Sequence, residues 1–204
     1  MNRSKKRGRF LMLIGAMFIA VALGMVIYNG YLEKKAAQSV SVAEQLSEYE
    51  VSILNERTTV KNEIPDYELN PGMEVPTTEI DEETYIGRLS VHSLGLSLPV
   101  MDDWDYRRLK IAPCRYSGSP YTGDFIIAAH YYDSHFGGLS ELQPGDKITF
   151  TDVAANSFEY EVLYVELLED TDVELMQAGE WDLTLFTCTY DTERRVTARA
   201  KRIK

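Results

Sequence analysis

Cysteine is nearly absent: 2 in 204 residues. That excludes a disulfide-rich scaffold and a four-thiolate zinc site. Histidine is scarce, at 3 residues, so any imidazole chemistry rests on His92, His130 or His135. Basic residues are also in deficit, with 21 Lys and Arg against 32 Asp and Glu. A net charge of −11 argues against nucleic acid as the main partner, because phosphate binding needs a basic surface. What is plentiful is apolar: 45% of the chain, enough for a packed core, which excludes wholesale disorder.

The charge is unevenly spread. Residues 1–9 carry five basic groups (Arg3, Lys5, Lys6, Arg7, Arg9) and no acid, so the remainder holds 16 basic against 32 acidic residues. Residues 10–32 contain no charge at all. About 20 apolar residues span the hydrocarbon core of a bilayer. Tyr28 and Tyr31 stand where an interfacial aromatic belt lies. The basic cluster ahead of the run belongs on the cytoplasmic side, which places the acidic body outside. A cleaved signal peptide is the competing reading. Its apolar region is about 7–15 residues, shorter than this run. Ala36-Ala37-Gln38 still imitates a small-residue cleavage site. The expectation is an uncleaved single-pass anchor.

Residues 33–55 read as helix, with Val42, Leu46, Tyr49 and Ile53 forming one apolar stripe. The stripe could pack on the domain or pair between chains; the preferred expectation is a partly frayed amphipathic stalk. Residues 56–83 hold Pro65, Pro71, Gly72 and Pro76 among acids and threonines, and read as a linker or extended arm. Residues 33–84 together form stalk and linker, and residues 85–204 the compact domain. That domain shows short strands at 85–91, 96–100, 125–129, 147–151, 157–168, 182–188 and 195–203. A short helix is expected at 103–109 and a helical turn after Gly137-Gly138. Many short strands and few helices predict a mostly-β barrel or sandwich.

Strand parity then places the chemistry, since side chains alternate faces. Leu183 and Leu185 share one face; Thr184, Phe186 and Cys188 share the other. Val196, Ala198 and Ala200 make a small apolar face, with Arg195, Thr197 and Arg199 opposite. The short segment 189–194 predicts an antiparallel neighbouring pair, with Cys188 and Arg195 at one end, on one outward face. A thiolate beside positive charge is a nucleophile, and arginine holds a carbonyl or a developing oxyanion. His130 ends an apolar strand at a barrel rim and is the preferred proton shuttle. The plain alternatives are a small buried apolar Cys, a solvated Arg and a surface His. The basic tail 194–204 reads as a solvated strand face. Cys114 reads as a buried structural thiol. The acidic stretches 170–174 and 102–103 read as solvated carboxylates, with no required metal and no cofactor.

LTLFTC, ending at Cys188, resembles the TLxTC signature of sortases, the cysteine transpeptidases of Gram-positive surfaces. RVTARAKRI from Arg195 resembles the strand that carries the family's arginine, and FIIAAH, ending at His130, its strand-plus-histidine segment. LKIAPCRYSGS and the Gly145-Asp146 turn extend the match over about residues 85–204. The resemblance implies an eight-stranded sortase-type β-barrel with short helices behind one transmembrane helix. It implies Cys188 as nucleophile, His130 as acid and base, and Arg195 as carbonyl or oxyanion stabiliser. Thr184, Phe186 and Thr187 are the expected substrate contacts. The implied partners are surface proteins with a C-terminal LPxTG-like sorting signal, a peptidoglycan or pilin amine, and the membrane. Ala129 and Tyr131 replace the Gly and Asn that flank the histidine in many relatives. The arm lacks the Asp-Pro-aromatic lid motif, and the Cys-to-Arg interval is short, which leans toward a class B or D-like member. The non-enzymatic alternative is a catalytically silent membrane-tethered barrel; the enzymatic one is a hydrolytic processing protease.

Overall fold

The computed structural model describes residues 3–37, 39–57, 64–189 and 193–203. The chain divides into two units, Met1–Lys35 and Ala36–Lys204. Helix α1 (Arg3–Ala37) contains the stretch Met12–Tyr31, long and apolar enough to cross a membrane.

Among the described residues, the second unit is built on nine strands: β1 (Thr78–Ile80), β2 (Glu83–Val91), β3 (Leu96–Met101), β4 (Cys114–Ser117), β5 (Phe125–Ala128), β6 (Lys147–Asp152), β7 (Ser157–Glu169), β8 (Leu183–Cys188) and β9 (Arg194–Arg202). Their order is β1-β2-β3-β4-β5-β8-β9-β7-β6, and β6 pairs back onto β2. The eight strands β2 to β9 therefore close into a barrel, and β1 is an antiparallel addition at the edge of β2. Closure leaves no exposed edge within that ring. The seam needs Gly87: a Cβ there would lie 2.1 Å from the Thr151 carbonyl oxygen, so only glycine lets β2 approach β6 this closely.

The interior follows the strand alternation. Leu89, Leu98, Ile127, Phe150, Leu183, Leu185 and Ala198 are buried together, with Phe125 and Phe150 in edge contact at 4.9 Å. Residues 33–55 do not form a single frayed stalk. α1 runs to Ala37, Gln38 lies outside the described residues, and α2 (Ser39–Arg57) follows. Val42 and Leu46 bury with Tyr85, Met101, Ala112, Cys114 and Val153 in a second apolar cluster. The buried face of α2 is Ser39, Val42, Ala43, Leu46 and Glu50, whereas Tyr49 is exposed. Glu50 replaces an apolar residue on that face because Arg88 of β2 meets it, Nη2 to Oε2 at 2.6 Å.

The segment 56–83 is more ordered than its proline content suggests, although residues 58–63 lie outside the described residues. Helix α3 (Asp66–Leu69) starts behind Pro65, and Tyr67 stacks on Tyr121 at 4.9 Å. The Tyr121 hydroxyl in turn donates to the buried carboxylate of Asp152 at 2.6 Å. The short helix expected at 103–109 shrinks to a 3-10 turn at Arg108–Lys110. Asp105 explains it, because its Oδ1 accepts from the backbone N–H groups of Arg107 and Arg108 and holds a local turn instead. Helix α4 (Val173–Gln177) begins within the acidic stretch 170–174.

Candidate active site

Three adjacent strands set the site. β5 pairs parallel with β8, Ala128 opposite Phe186, and the Ala129 N–H donates to the Phe186 carbonyl at 3.1 Å. β8 pairs antiparallel with β9, and Cys188 and Arg195 are direct Cα partners. The β5–β8 register is constant, so extending it by two residues brings His130 level with Cys188. His130, Cys188 and Arg195 thus follow one line across the sheet at one rim of the barrel. All three line a cleft of about 500 Å³ together with Tyr106, Leu109 and Tyr131. Residues 190–192, within the Cys-to-Arg interval, lie outside the described residues, but the Thr189 N–H to Arg194 carbonyl bond at 2.8 Å closes the strand pair before them.

Cys188 also lines a second cleft, of about 160 Å³, with Arg195, Phe186, Trp104, Tyr116, Val173 and Met176 among its walls. The thiol therefore stands where two clefts meet. Cys188 is half-buried and reduced. Among the described residues, Arg195 Nη1 is buried with no hydrogen-bond partner, a cationic donor placed to take a carbonyl or oxyanion oxygen. His130 is exposed, and its ring stacks on Tyr132 at 4.2 Å with planes 8° apart. The following loop folds back on itself: the Tyr132 carbonyl accepts from His135 at 2.9 Å and from Gly137 at 2.8 Å. A Cβ at Gly137 would lie 2.8 Å from that carbonyl, so this turn requires glycine.

The other histidines are placed differently. His135 is fully buried, and the Nδ1 of His92 lies 3.1 Å from the Lys147 carbonyl, away from both clefts. Cys114 is fully buried against Met101, and burial pushes its thiol up to about 12. Of the expected substrate contacts, Phe186 lines the smaller cleft. Thr184 and Thr187 line neither cleft. Thr184 is buried beneath and accepts from Arg199 at 3.0 Å, and Thr187 points to the barrel interior with Leu183 and Leu185. The tail is a solvated face only in part: Thr197 and Arg199 are buried, and α4 carbonyls cover Arg199.

Sequence reasoning missed the cleft walls. One is aromatic, a run of ring contacts from Tyr106 to Trp104 (5.9 Å), Tyr116 (5.3 Å) and Phe186 (5.2 Å). The other is α4. The aromatic density of residues 104–116 was the available signal for the first. Among the described residues, no group of three or more His, Cys, Asp or Glu is placed to hold a metal ion.

A family model for the sortase domain matches residues 89–203. Sortase A of Bacillus anthracis is 28% identical over 175 residues, covering 82% of this chain and 80% of its own. Sortase C of Streptococcus pneumoniae superposes with a TM-score of 0.56 at 20% identity, covering 83% of this chain and 96% of its own. A sortase D5 transpeptidase of Clostridium perfringens gives 0.54 at 20% identity, covering 77% and 99%. The two structural likenesses establish the fold. Relatives of classes A, C and D match side by side, so they do not single out a subclass.

Proposed function

Because the chain belongs to the sortase family and is a cysteine transpeptidase, we propose that α1 holds it in a membrane with the barrel outside, where it cleaves an LPxTG-like C-terminal sorting signal and transfers the acyl group to a cell-wall or pilin amine. The observation that carries this reading is the line His130–Cys188–Arg195 at the meeting of two clefts.

The steps follow from the groups present. The Cys188 thiolate attacks the scissile carbonyl and forms an S–C bond. The oxyanion takes hydrogen bonds from Arg195 Nη1 and neighbouring backbone N–H groups. His130, as imidazolium, protonates the departing amine as the C–N bond breaks, leaving a thioester. An incoming amine gives its proton to His130, attacks the thioester, and releases the thiolate. Splitting the acyl transfer divides one high barrier into two lower ones.

The test is transfer of a labelled LPxTG-type peptide to an added amine by the full chain in detergent micelles. Cys188→Ala abolishes transfer and His130→Ala nearly does. Arg195→Ala lowers the rate by about 10², the scale of losing one oxyanion donor. Discharge by water alone would identify a processing protease. Wild-type-like transfer by Cys188→Ala ends the assignment.

A further inference from the structure

Arg199 lies on β9, four residues past Arg195 and on the same outward face, yet only 2% of it is exposed. Burying a guanidinium is costly unless its donors are satisfied. Here every nitrogen is used. Nε donates to Glu166 Oε1 at 2.8 Å, and Nη1 to Thr184 Oγ1 at 3.0 Å. The remaining bonds go to α4: Nη1 to the Met176 carbonyl at 2.9 Å and Nη2 to the Leu175 carbonyl at 2.7 Å.

α4 has little else to hold it. It has five residues, too short to persist on helix propensity. Met176 is its single buried side chain. Asp172 at its start makes no side-chain cap, and Val173, Glu174 and Leu175 are exposed. Yet Val173 and Met176 line the smaller cleft beside Cys188 and Arg195. The wall of a recognition cleft is therefore carried on a single helical turn, and one arginine ties the carbonyl end of that turn to the strand bearing Arg195.

We propose that Arg199 is a positioning residue for substrate recognition: it clamps α4 to β9, so that Val173 and Met176 form a preset wall for the peptide segment that the Cys188 cleft receives. This rests on the transpeptidase reading of that cleft. The clamp acts on binding rather than on the thiol, since no bond links Arg199 to Cys188, His130 or Arg195 among those described. Lysine keeps the charge but has one nitrogen, which cannot reach two carbonyls, a hydroxyl and a carboxylate at once.

The experiment compares the full chain in detergent micelles with its Arg199→Lys and Thr184→Val variants. Thr184→Val removes one partner of four and guards against a misfolded Arg199→Lys. Three readouts are taken: amide exchange across residues 173–182, the dissociation constant of LPxTG-type peptides in a Cys188→Ala background, and the rate of Cys188 alkylation by iodoacetamide. Exchange in α4 speeds up while β8 and β9 stay protected. The dissociation constant rises about tenfold in Arg199→Lys and about threefold in Thr184→Val, the scale of lost charge-assisted hydrogen bonds. Alkylation stays within about twofold, because the thiol's surroundings are intact. Unchanged α4 exchange, unchanged peptide affinity, or no measurable binding by the parent overturns the proposal. Peptide binding that depends on Arg199 in a chain that never acylates Cys188 would instead refute the catalytic reading and leave the clamp standing.

Discussion

The two thiols of this chain differ in what surrounds them. Cys114 is fully buried and its pKa is pushed up to about 12 by burial, so at pH 8 it is a protonated, inert group. Cys188 opens on two clefts beside Arg195. Iodoacetamide at pH 8 therefore modifies Cys188 first, and Cys114 reacts only after denaturation; peptide mapping checks the order. Preferential labelling of Cys114 in the folded chain would contradict this. Much of this scale was legible in the sequence. Alternation in LTLFTC and RVTARA puts Cys188 and Arg195 on one face without any knowledge of the sheet. Arg199 was not legible. A charged residue on a strand defaults to solvent, and only the carbonyls of α4, brought from more than twenty residues away, reverse that default.

Among the elements, the strands with clean apolar alternation were readable to within a residue or two. β1 and β4 were not, because three or four residues carry too little periodicity unless, like the four of β5, all are apolar. α2 misled for a different reason. Its inner face includes Glu50, so the apolar stripe Val42, Leu46, Tyr49, Ile53 goes astray at Tyr49, which is exposed, while Val42 and Leu46 are buried. That carboxylate makes α2 docking depend on pH. Burial raises the Glu50 pKa, with Arg88 opposing the shift. The folded chain then binds this proton more tightly than the unfolded chain. The resulting stability is present below the unfolded value and is lost as pH rises through the folded one. Glu50→Gln removes that component, so urea midpoints of the variant and parent diverge as pH increases from about 4.5 toward neutral, the parent falling behind. Arg88→Met leaves the buried carboxylate unpaired and costs about 3 kcal/mol at pH 7. A variant whose midpoint tracks the parent at every pH would show that Glu50 is not held as described.

At the scale of the whole molecule, composition alone separated a basic head, an apolar span and an acidic body. The closed barrel then explains why residues far apart in the chain converge: the β5–β8 parallel pair and the β8–β9 hairpin bring His130 and Arg195 to opposite sides of Cys188. The sortase fold gives the scaffold, and Trp104, Tyr116 of β4, Phe186 of β8 and α4 wall the smaller cleft. The most direct test of the account is the intact mass of the full chain in detergent micelles after mixing with an LPxTG-type peptide. The account predicts a covalent acyl adduct that maps to Cys188, that an added amine discharges as a transfer product, and that Cys188→Ala does not form. Transfer to the amine with no dependence on Cys188, or an adduct mapping to another residue, would contradict it.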